Sequence, residues 1–128
     1  MAAAVGTKAQ GIPVLIVEDD LPTYQAMRAL LEHYGFVPAH ASTTSDALEL
    51  LSSNPRYVFL DLMLPDGDGA RVLEHIRLKN LPIEVAVITG TSDPERIRKV
   101  ERLKPELLLR KPLDFLALLE RIKPADSA

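Results

Sequence analysis

Short apolar runs alternate with segments of helical periodicity along most of this sequence, and this alternation constrains the fold more than any other feature. A short apolar run bounded by turn residues is typical of a buried strand, whereas apolar residues spaced by three and four positions indicate a helix. The runs predict strands at residues 14–17, 37–41, 57–62, 85–88 and 107–109. Helical segments lie at residues 21–34, 45–51, 94–103 and 113–122, and a further helix is predicted after an N-cap at Asp68. Because strands that alternate with helices form a parallel sheet covered on both faces, we predict an α/β doubly wound fold.

The predicted elements divide the chain into one domain and two short tails. A chain of 128 residues suits one globular domain with a sizeable core. We expect residues 1–11 to form a flexible N-terminal tail and residues 12–123 to form the domain. Residues 124–128 are expected to be a C-terminal tail or the start of a linker.

Composition excludes several classes of function. The formal net charge of -3 argues against a direct nucleic-acid interface, which needs clustered lysine and arginine. The chain has no cysteine, so disulfides, thiolate metal sites and a cysteine nucleophile are excluded. No apolar run approaches the ~20 residues that cross a bilayer, and the first residues do not resemble a signal peptide. We therefore expect a cytoplasmic protein without a membrane partner.

Polar side chains follow four of the predicted strands. Glu18 and Asp19 come after the first strand, Asp61 lies near the end of the third, Thr89 ends the fourth and Lys111 follows the fifth. The carboxyl ends of parallel strands meet at one edge of the sheet, where such folds place their functional groups. We therefore expect these side chains to lie close together.

The residue types at this edge point to phosphate chemistry. Crowded carboxylates repel one another unless a cation is present, and hard oxygen ligands favour Mg²⁺, which often binds carboxylates and a phosphate together. The Thr89 hydroxyl and the Lys111 ammonium suit phosphoryl oxygens. The set indicates a site for placing a phosphoryl group on a carboxylate, where positioning and charge neutralisation supply most of the catalysis.

Four motifs give the chain a family resemblance. VLIVEDD, FLDLMLPDGDG, VITGT and RKP occur in this order, and the resemblance spans residues 14–122. Together they resemble the receiver domains of two-component response regulators, including the chemotaxis-regulator type. The resemblance implies a flavodoxin-like parallel sheet of five strands in the order 2-1-3-4-5. It also implies a phosphorelay in which a histidine kinase or a phosphotransfer protein donates the phosphoryl group.

The resemblance assigns a role to each residue at the acidic end of the sheet. Asp61 is implied to be the phosphoacceptor that attacks the phosphohistidine of the partner. Asp19, Asp61 and the backbone carbonyl of Met63 are implied to bind Mg²⁺ directly, and Glu18 to act through a water. Glu18 stands where many members of the family have aspartate.

The resemblance also assigns the groups that read the phosphoryl group. Thr89 is implied to bond one phosphoryl oxygen and to move inward after phosphorylation, and Lys111 to pair with another. The Lys111–Pro112 peptide bond is implied to be cis. Leu108 stands where many receivers carry a tyrosine or phenylalanine, so a switch that turns an aromatic ring inward cannot operate here.

The last helix is unusually apolar at its start, and this suggests a partner surface. If the helix starts at residue 113, Phe115 or Leu116 should point outward near Leu108. We expect the face formed by the fourth helix, the fifth strand and the fifth helix (α4-β5-α5) to bind a downstream protein target or a second copy of the chain.

Simpler interpretations stand beside these assignments. Residues 66–69 (DGDG) are expected to form a turn and an N-cap, because the bidentate glutamate of a calcium loop is missing. A basic stretch is interpreted as a solvated helix face, and the histidines show no pattern of metal ligands. The basic stretch comprises Arg96, Arg98, Lys99, Arg102 and Lys104, and the histidines are His33, His40 and His75.

Three other functions compete with the phosphoacceptor. The first is a pseudo-receiver, a binding module that works without phosphorylation. The second is an aspartyl phosphatase of the haloacid-dehalogenase type, which needs a second aspartate where this chain has Met63. The third is a nucleotide binder, but no glycine-rich loop follows the first strand. We expect a signalling domain that catalyses only its own phosphorylation and dephosphorylation, not an enzyme with a diffusible product.

Overall fold

The computed structural model describes residues 11–122, which form one parallel sheet with helices on both faces. Its strands, numbered along the chain, are β1 (Ile12–Val17), β2 (Phe36–Ala41), β3 (Tyr57–Asp61), β4 (Glu84–Thr89) and β5 (Leu107–Arg110). They lie in the order β2-β1-β3-β4-β5, and every pair is parallel. The predicted doubly wound sheet and its 2-1-3-4-5 order are therefore confirmed.

Four helices connect the strands, and a fifth follows β5. They are α1 (Leu21–His33), α2 (Thr44–Leu50), α3 (Ala70–Leu78), α4 (Pro94–Arg102) and α5 (Phe115–Arg121), and a 3₁₀ turn (Leu51–Ser53) follows α2. Four helices begin with a side chain that accepts a hydrogen bond from a backbone N–H group of their first turn. These capping residues are Asp20, Thr43, Asp93 and Asp114. Such caps satisfy donors that the helix itself leaves free, and they fix where each helix starts.

Two apolar clusters cover the two faces of the sheet. Along β3, Val58 and Leu60 pack with residues of α2, α3 and α4, whereas Tyr57 and Phe59 pack with residues of α1 and α5. Successive side chains of a strand point to opposite faces, so a central strand buried on both sides must be apolar throughout. This packing fixes the carboxyl ends of the strands, where the polar residues lie.

The structure differs from the sequence predictions at the connections. A small antiparallel hairpin (Met63–Leu64 with Gly67–Asp68) follows β3, where only a turn is predicted. α3 is preceded by Gly69 as its N-cap position, although the Asp68 carboxylate does accept a hydrogen bond from the Ala70 N–H at 2.9 Å. α5 begins at Phe115 rather than at residue 113, because Asp114 caps it.

The predicted proximity of Leu108 and Phe115 is wrong. Leu108 packs against the cluster on the α2, α3 and α4 side, and Phe115 packs on the α1 and α5 side. The alternation of β5 explains the difference, since Leu107 and Leu109 face α5 and Leu108 faces away from it. Leu116 does point outward, with 65% of its surface exposed.

The tails predicted at the two chain ends lie outside the described residues, except for Gly11. Among the residues that the structure describes, no helix has both the length and the apolar character needed to cross a membrane.

Candidate functional site

Four of the residues singled out by sequence meet at the carboxyl end of the sheet. Carboxylate oxygens of Glu18, Asp19 and Asp61 lie within 4.8 Å of one another. The Lys111 Nζ lies 3.1 Å from Glu18 Oε1 and 3.2 Å from Asp61 Oδ2. β1, β3 and β5 are not all neighbours in the sheet, but their parallel direction brings the residues that follow them to one edge.

Burial and the lysine act against each other on the pKa values of this group. Glu18 and Asp61 are buried, and burial raises the pKa of the Glu18 carboxyl above its ordinary value, with the charge of Asp61 adding to the rise. Burial lowers the pKa of Lys111, but the hydrogen bond and charge of Glu18 and the charge of Asp61 outweigh it, so this pKa is raised. Lys111 therefore stays an ammonium and stabilises the carboxylates beside it.

The donor set fits a hard divalent cation. Among the residues that the structure describes, three carboxylates face one ammonium, so negative charge remains uncompensated at a place where two of the carboxylates are buried. Asp19 is exposed, which leaves the group open to solvent on one side. Carboxylate oxygens without nitrogen or sulfur ligands suit Mg²⁺, which keeps several of its waters when protein binds it.

Asp61 is held in a defined orientation. Its Oδ1 accepts a hydrogen bond from the Met63 N–H at 3.1 Å, and its Oδ2 faces the Lys111 Nζ. Met63 itself is 53% exposed and begins the small hairpin. Both oxygens of the carboxylate are thus engaged, and the side chain is preorganised at the end of a buried strand.

Thr89 and Lys111 are connected through the backbone. Asp61 pairs with Ile88 across β3 and β4, so Thr89 lies one position beyond Asp61 along the edge. Thr89 is fully buried, its hydroxyl accepts a hydrogen bond from the Thr91 N–H, and its carbonyl accepts one from the Lys111 N–H at 2.9 Å. The Lys111–Pro112 peptide bond is cis.

Sequence reasoning missed the requirement for glycine at position 69. A Cβ atom built on Gly69 would lie 2.2 Å from the Asp61 carbonyl oxygen, far inside contact distance. The Gly69 N–H also donates to the Leu62 carbonyl at 2.8 Å. The loop therefore packs directly on the backbone of Asp61, and its glycines indicated only a turn in the sequence.

Asp66 joins the loop after β3 to α2. Its carboxylate accepts hydrogen bonds from the Thr44 N–H at 2.8 Å and from the Ser45 N–H at 3.0 Å, at the beginning of α2. These backbone donors hold the pKa of the Asp66 carboxyl below its ordinary value. No local sequence pattern indicates this contact, because the partners lie more than twenty positions apart.

Arg96 joins the same loop to α4, and its interpretation as part of a solvated helix face is wrong. Its Nη2 donates to the Leu62 carbonyl at 3.1 Å and lies 3.2 Å from Asp68 Oδ1. Arg96 also lines an open cleft with Asp19 and Met63. The side chain points toward the site because it stands on the first turn of α4, which follows Thr89 closely.

His40 supports the acidic turn after β1. Its Nε2 lies 2.8 Å from the Glu18 carbonyl oxygen, and its ring stacks on Tyr24 with centroids 3.7 Å apart. No spacing pattern in the sequence singles it out, since β2 meets this turn only through the sheet.

The site and fold agree with the comparison to known families. A sequence model described as the response regulator receiver domain matches residues 14–123. The chain belongs to this family. Receiver domains are signalling domains of two-component systems, and in general they bind Mg²⁺ at an acidic pocket and interact with histidine kinases and downstream effectors.

The receiver domain matches parts of longer proteins. The cyclic di-GMP phosphodiesterase of Thermotoga maritima is 35% identical over 112 residues, which are 88% of this chain and 30% of that protein. The phosphate regulon transcriptional regulatory protein PhoB of Escherichia coli is 29% identical over 114 residues, which are 86% of this chain and 49% of that protein. The chain thus spans less than half the length of these relatives.

Solved structures show the same fold. A DNA-binding response regulator of the LuxR family from Staphylococcus aureus is 31% identical, with a TM-score of 0.80 over 87% of this chain and 95% of that chain. A CheY-like receiver domain from Methanospirillum hungatei is 24% identical, with a TM-score of 0.80 over 89% of this chain and 91% of that chain. The second similarity is one of fold alone.

Proposed function

We propose that this receiver domain accepts a phosphoryl group on Asp61 from the phosphohistidine of a histidine kinase or phosphotransfer protein, with Mg²⁺ bound beside it. One observation carries the proposal. Asp61 is a buried carboxylate fixed between the Lys111 ammonium and the Met63 N–H, and carboxylate oxygens of Glu18 and Asp19 lie within 4.8 Å. This arrangement provides a nucleophile, a cation site and a phosphoryl partner at one edge of the sheet.

The transfer is a displacement at phosphorus. An oxygen of Asp61 forms the new P–O bond while the P–N bond to the imidazole breaks, and the imidazole nitrogen keeps the electron pair and takes a proton. A carboxylate nucleophile needs no general base, because it forms the new bond without losing a proton. The contribution of the chain is to hold the nucleophile in place and to neutralise charge.

The residues that surround Asp61 divide the remaining work. Asp19, Asp61 and the Met63 carbonyl would hold Mg²⁺ directly, with Glu18 acting through a water. When bound, the ion neutralises charge on the phosphoryl oxygens. The Lys111 ammonium would leave Asp61 and Glu18 to pair with one phosphoryl oxygen, and the Thr89 hydroxyl would donate to another.

The phosphorylated domain would signal through protein contacts. We propose that the α4-β5-α5 face, which includes the exposed Leu116, binds a downstream protein or a second copy of the domain. Leu108 can repack against its cluster but offers no ring to turn inward. The domain would turn over no diffusible product, and it would work in the cytoplasm, where kinases draw phosphoryl groups from ATP.

Intact-protein mass after incubation with acetyl phosphate tests this function. We expect the wild type to gain one phosphoryl mass with Mg²⁺ and none with EDTA, and Asp61→Asn to gain none. Asp46→Asn, a change at an exposed residue of α2, serves as the matched control and should behave as wild type. A folded wild type that gains no phosphoryl mass would overturn the proposal and favour the pseudo-receiver, which binds its partner without phosphorylation.

A further inference from the structure

One peptide unit connects Asp61 to α4. The Met63 N–H and the Leu62 carbonyl belong to the same peptide unit, and they bond in opposite directions. The N–H donates to Asp61 Oδ1 at 3.1 Å, and the carbonyl accepts from Arg96 Nη2 at 3.1 Å. A carboxylate, a peptide unit and a guanidinium thus form a continuous chain of hydrogen bonds, in which each bond polarises the next.

The two ends of α4 are held in different ways. At the carboxyl end, Arg77 of α3 donates to the carbonyls of Leu103 and Lys104 at 2.9 and 2.7 Å and also pairs with Glu106. At the amino end, Arg96 reaches the loop that follows Asp61. The hydrogen-bond chain from Asp61 thus reaches the first turn of α4, whereas α3 holds the carboxyl end of the helix.

We propose that Arg96 is a positioning residue that couples the chemical state of Asp61 to α4. It holds the first turn of the helix on the loop after β3 while Asp61 is a carboxylate, and it loosens that turn when Asp61 carries a phosphoryl group. The inference rests on the proposed function, and it supplies a route to α4 that needs no aromatic residue at Leu108.

The direction of the effect follows from hydrogen-bond strength. Phosphorylation converts the carboxylate into a mixed anhydride, and its remaining carbonyl oxygen is a weaker acceptor than an ionised carboxylate. The Met63 N–H is then held less firmly, so the peptide unit can turn about the 2.8 Å bond that its Leu62 carbonyl keeps with the Gly69 N–H. The Leu62 carbonyl turns with it, which weakens its bond to Arg96.

Amide hydrogen exchange of α4, followed by NMR at residues 97–100, tests the coupling. The wild type is compared with Arg96→Gln and with Arg98→Gln, which removes the same charge from an exposed residue of the same helix. Intact mass of each sample gives the phosphorylated fraction, so phosphorylation and coupling are read separately. A hydrogen bond to a charged group is strong enough for its loss to raise local exchange by about tenfold.

We expect phosphorylation to speed exchange in α4 by about tenfold in the wild type and in Arg98→Gln. Arg96→Gln should still be phosphorylated, but its α4 should exchange fast from the start and change less than about twofold. A merely structural role for Arg96 would raise the starting rate but leave the response to phosphorylation intact. An unchanged response in Arg96→Gln, or no response in the wild type, would overturn the inference.

A second comparison keeps the coupling testable if no phosphoryl group is added and the proposed function fails. Asp61→Asn replaces the carboxylate with a neutral and therefore weaker acceptor, without any phosphorylation. It should speed α4 exchange in the wild-type background and leave it unchanged in the Arg96→Gln background. Equal effects in the two backgrounds would show that Arg96 carries no coupling.

Discussion

At the scale of single residues, charge balance decides how the site behaves before an ion binds. The Lys111 Nζ lies 3.1 Å from Glu18 Oε1 and 3.2 Å from Asp61 Oδ2, and both carboxylates are buried. Its positive charge neutralises part of the negative charge that a bound metal ion would otherwise neutralise. It therefore competes with an incoming metal ion and also favours a phosphoryl group. Removing the lysine should therefore change the Mg²⁺ affinity and the phosphorylation rate in opposite directions.

Lys111→Met should bind Mg²⁺ more tightly than the wild type, by about tenfold or more, since a unit positive charge a few ångströms from the ion is lost. Its phosphorylation by acetyl phosphate should be slower, because one phosphoryl oxygen has no ammonium partner. Calorimetric titration with Mg²⁺ measures the affinity, and Lys99→Met, at an exposed position of α4, is the control. Weaker or equal binding of Mg²⁺ by Lys111→Met would contradict the charge balance described here.

Gly69 is a second residue whose role is set by distance. Gly69→Ala should lower the free energy of unfolding by about 1–3 kcal/mol, since the new Cβ meets the Asp61 backbone, which has little freedom to move. It should also slow phosphorylation, because Asp61 would shift. Gly90→Ala is the control, since a Cβ there has only the Lys111 Cδ nearby, at 3.9 Å. Urea unfolding measures the free energy of unfolding of both variants. Equal values would show that the structure around Gly69 relaxes without loss of stability.

Some contacts of single residues could be predicted from the sequence, and others could not. Glu18, Asp19, Asp61 and Lys111 were predictable as neighbours because each follows a strand, and parallel strands end at one edge. Gly69 and Arg96 were not, since their contacts depend on the path of the loop after β3. A strand end is encoded locally by its apolar run, whereas a loop path is fixed only when the surrounding elements have packed.

At the scale of elements, the loop between β3 and α3 is held from two sides. Asp66 binds the first N–H groups of α2, and Leu62 and Asp68 bind Arg96 of α4. Three elements that are separate in sequence are thus joined beside Asp61. The hairpin within this loop was missed for the same reason, because two-residue strands leave no periodicity to detect.

The contact between Asp66 and α2 should make the stability of the fold depend on pH. Its pKa is held below the ordinary value of 3.8 by the Thr44 and Ser45 N–H groups, so it stabilises the fold above that value and loses the effect as the pH falls through the lower folded pKa. Asp66→Asn should be less stable than the wild type near neutral pH, and the difference should shrink as the pH falls below 3.8.

Urea unfolding of both proteins across this pH range provides the measurement. Glu49→Gln, at an exposed carboxylate on α2, is the control and should differ little from the wild type at any pH. A difference between the wild type and Asp66→Asn that stays constant down to the lowest pH would show that the charge of Asp66 does not stabilise α2.

At the scale of the whole molecule, the apolar core and the candidate site occupy different parts of the sheet. The two apolar clusters lie on its faces, and the acidic groups of the candidate site lie at the carboxyl edge, outside both clusters. The fold class and strand order were predictable from alternation and from resemblance, because they depend on the pattern of whole elements. The predicted proximity of Leu108 and Phe115 was wrong, since it required the register of one short strand and the exact start of one helix.

The proposed function depends most directly on Asp61 being the residue that carries the phosphoryl group. Borohydride reduction of the acetyl-phosphate-treated protein converts an aspartyl phosphate to homoserine, and peptide mass spectrometry then locates it. We expect homoserine at position 61 alone, in samples with Mg²⁺ and not in samples with EDTA. Homoserine at Asp19 or Asp20 instead, or its formation regardless of Mg²⁺, would show that Asp61 is not the Mg²⁺-dependent phosphoacceptor.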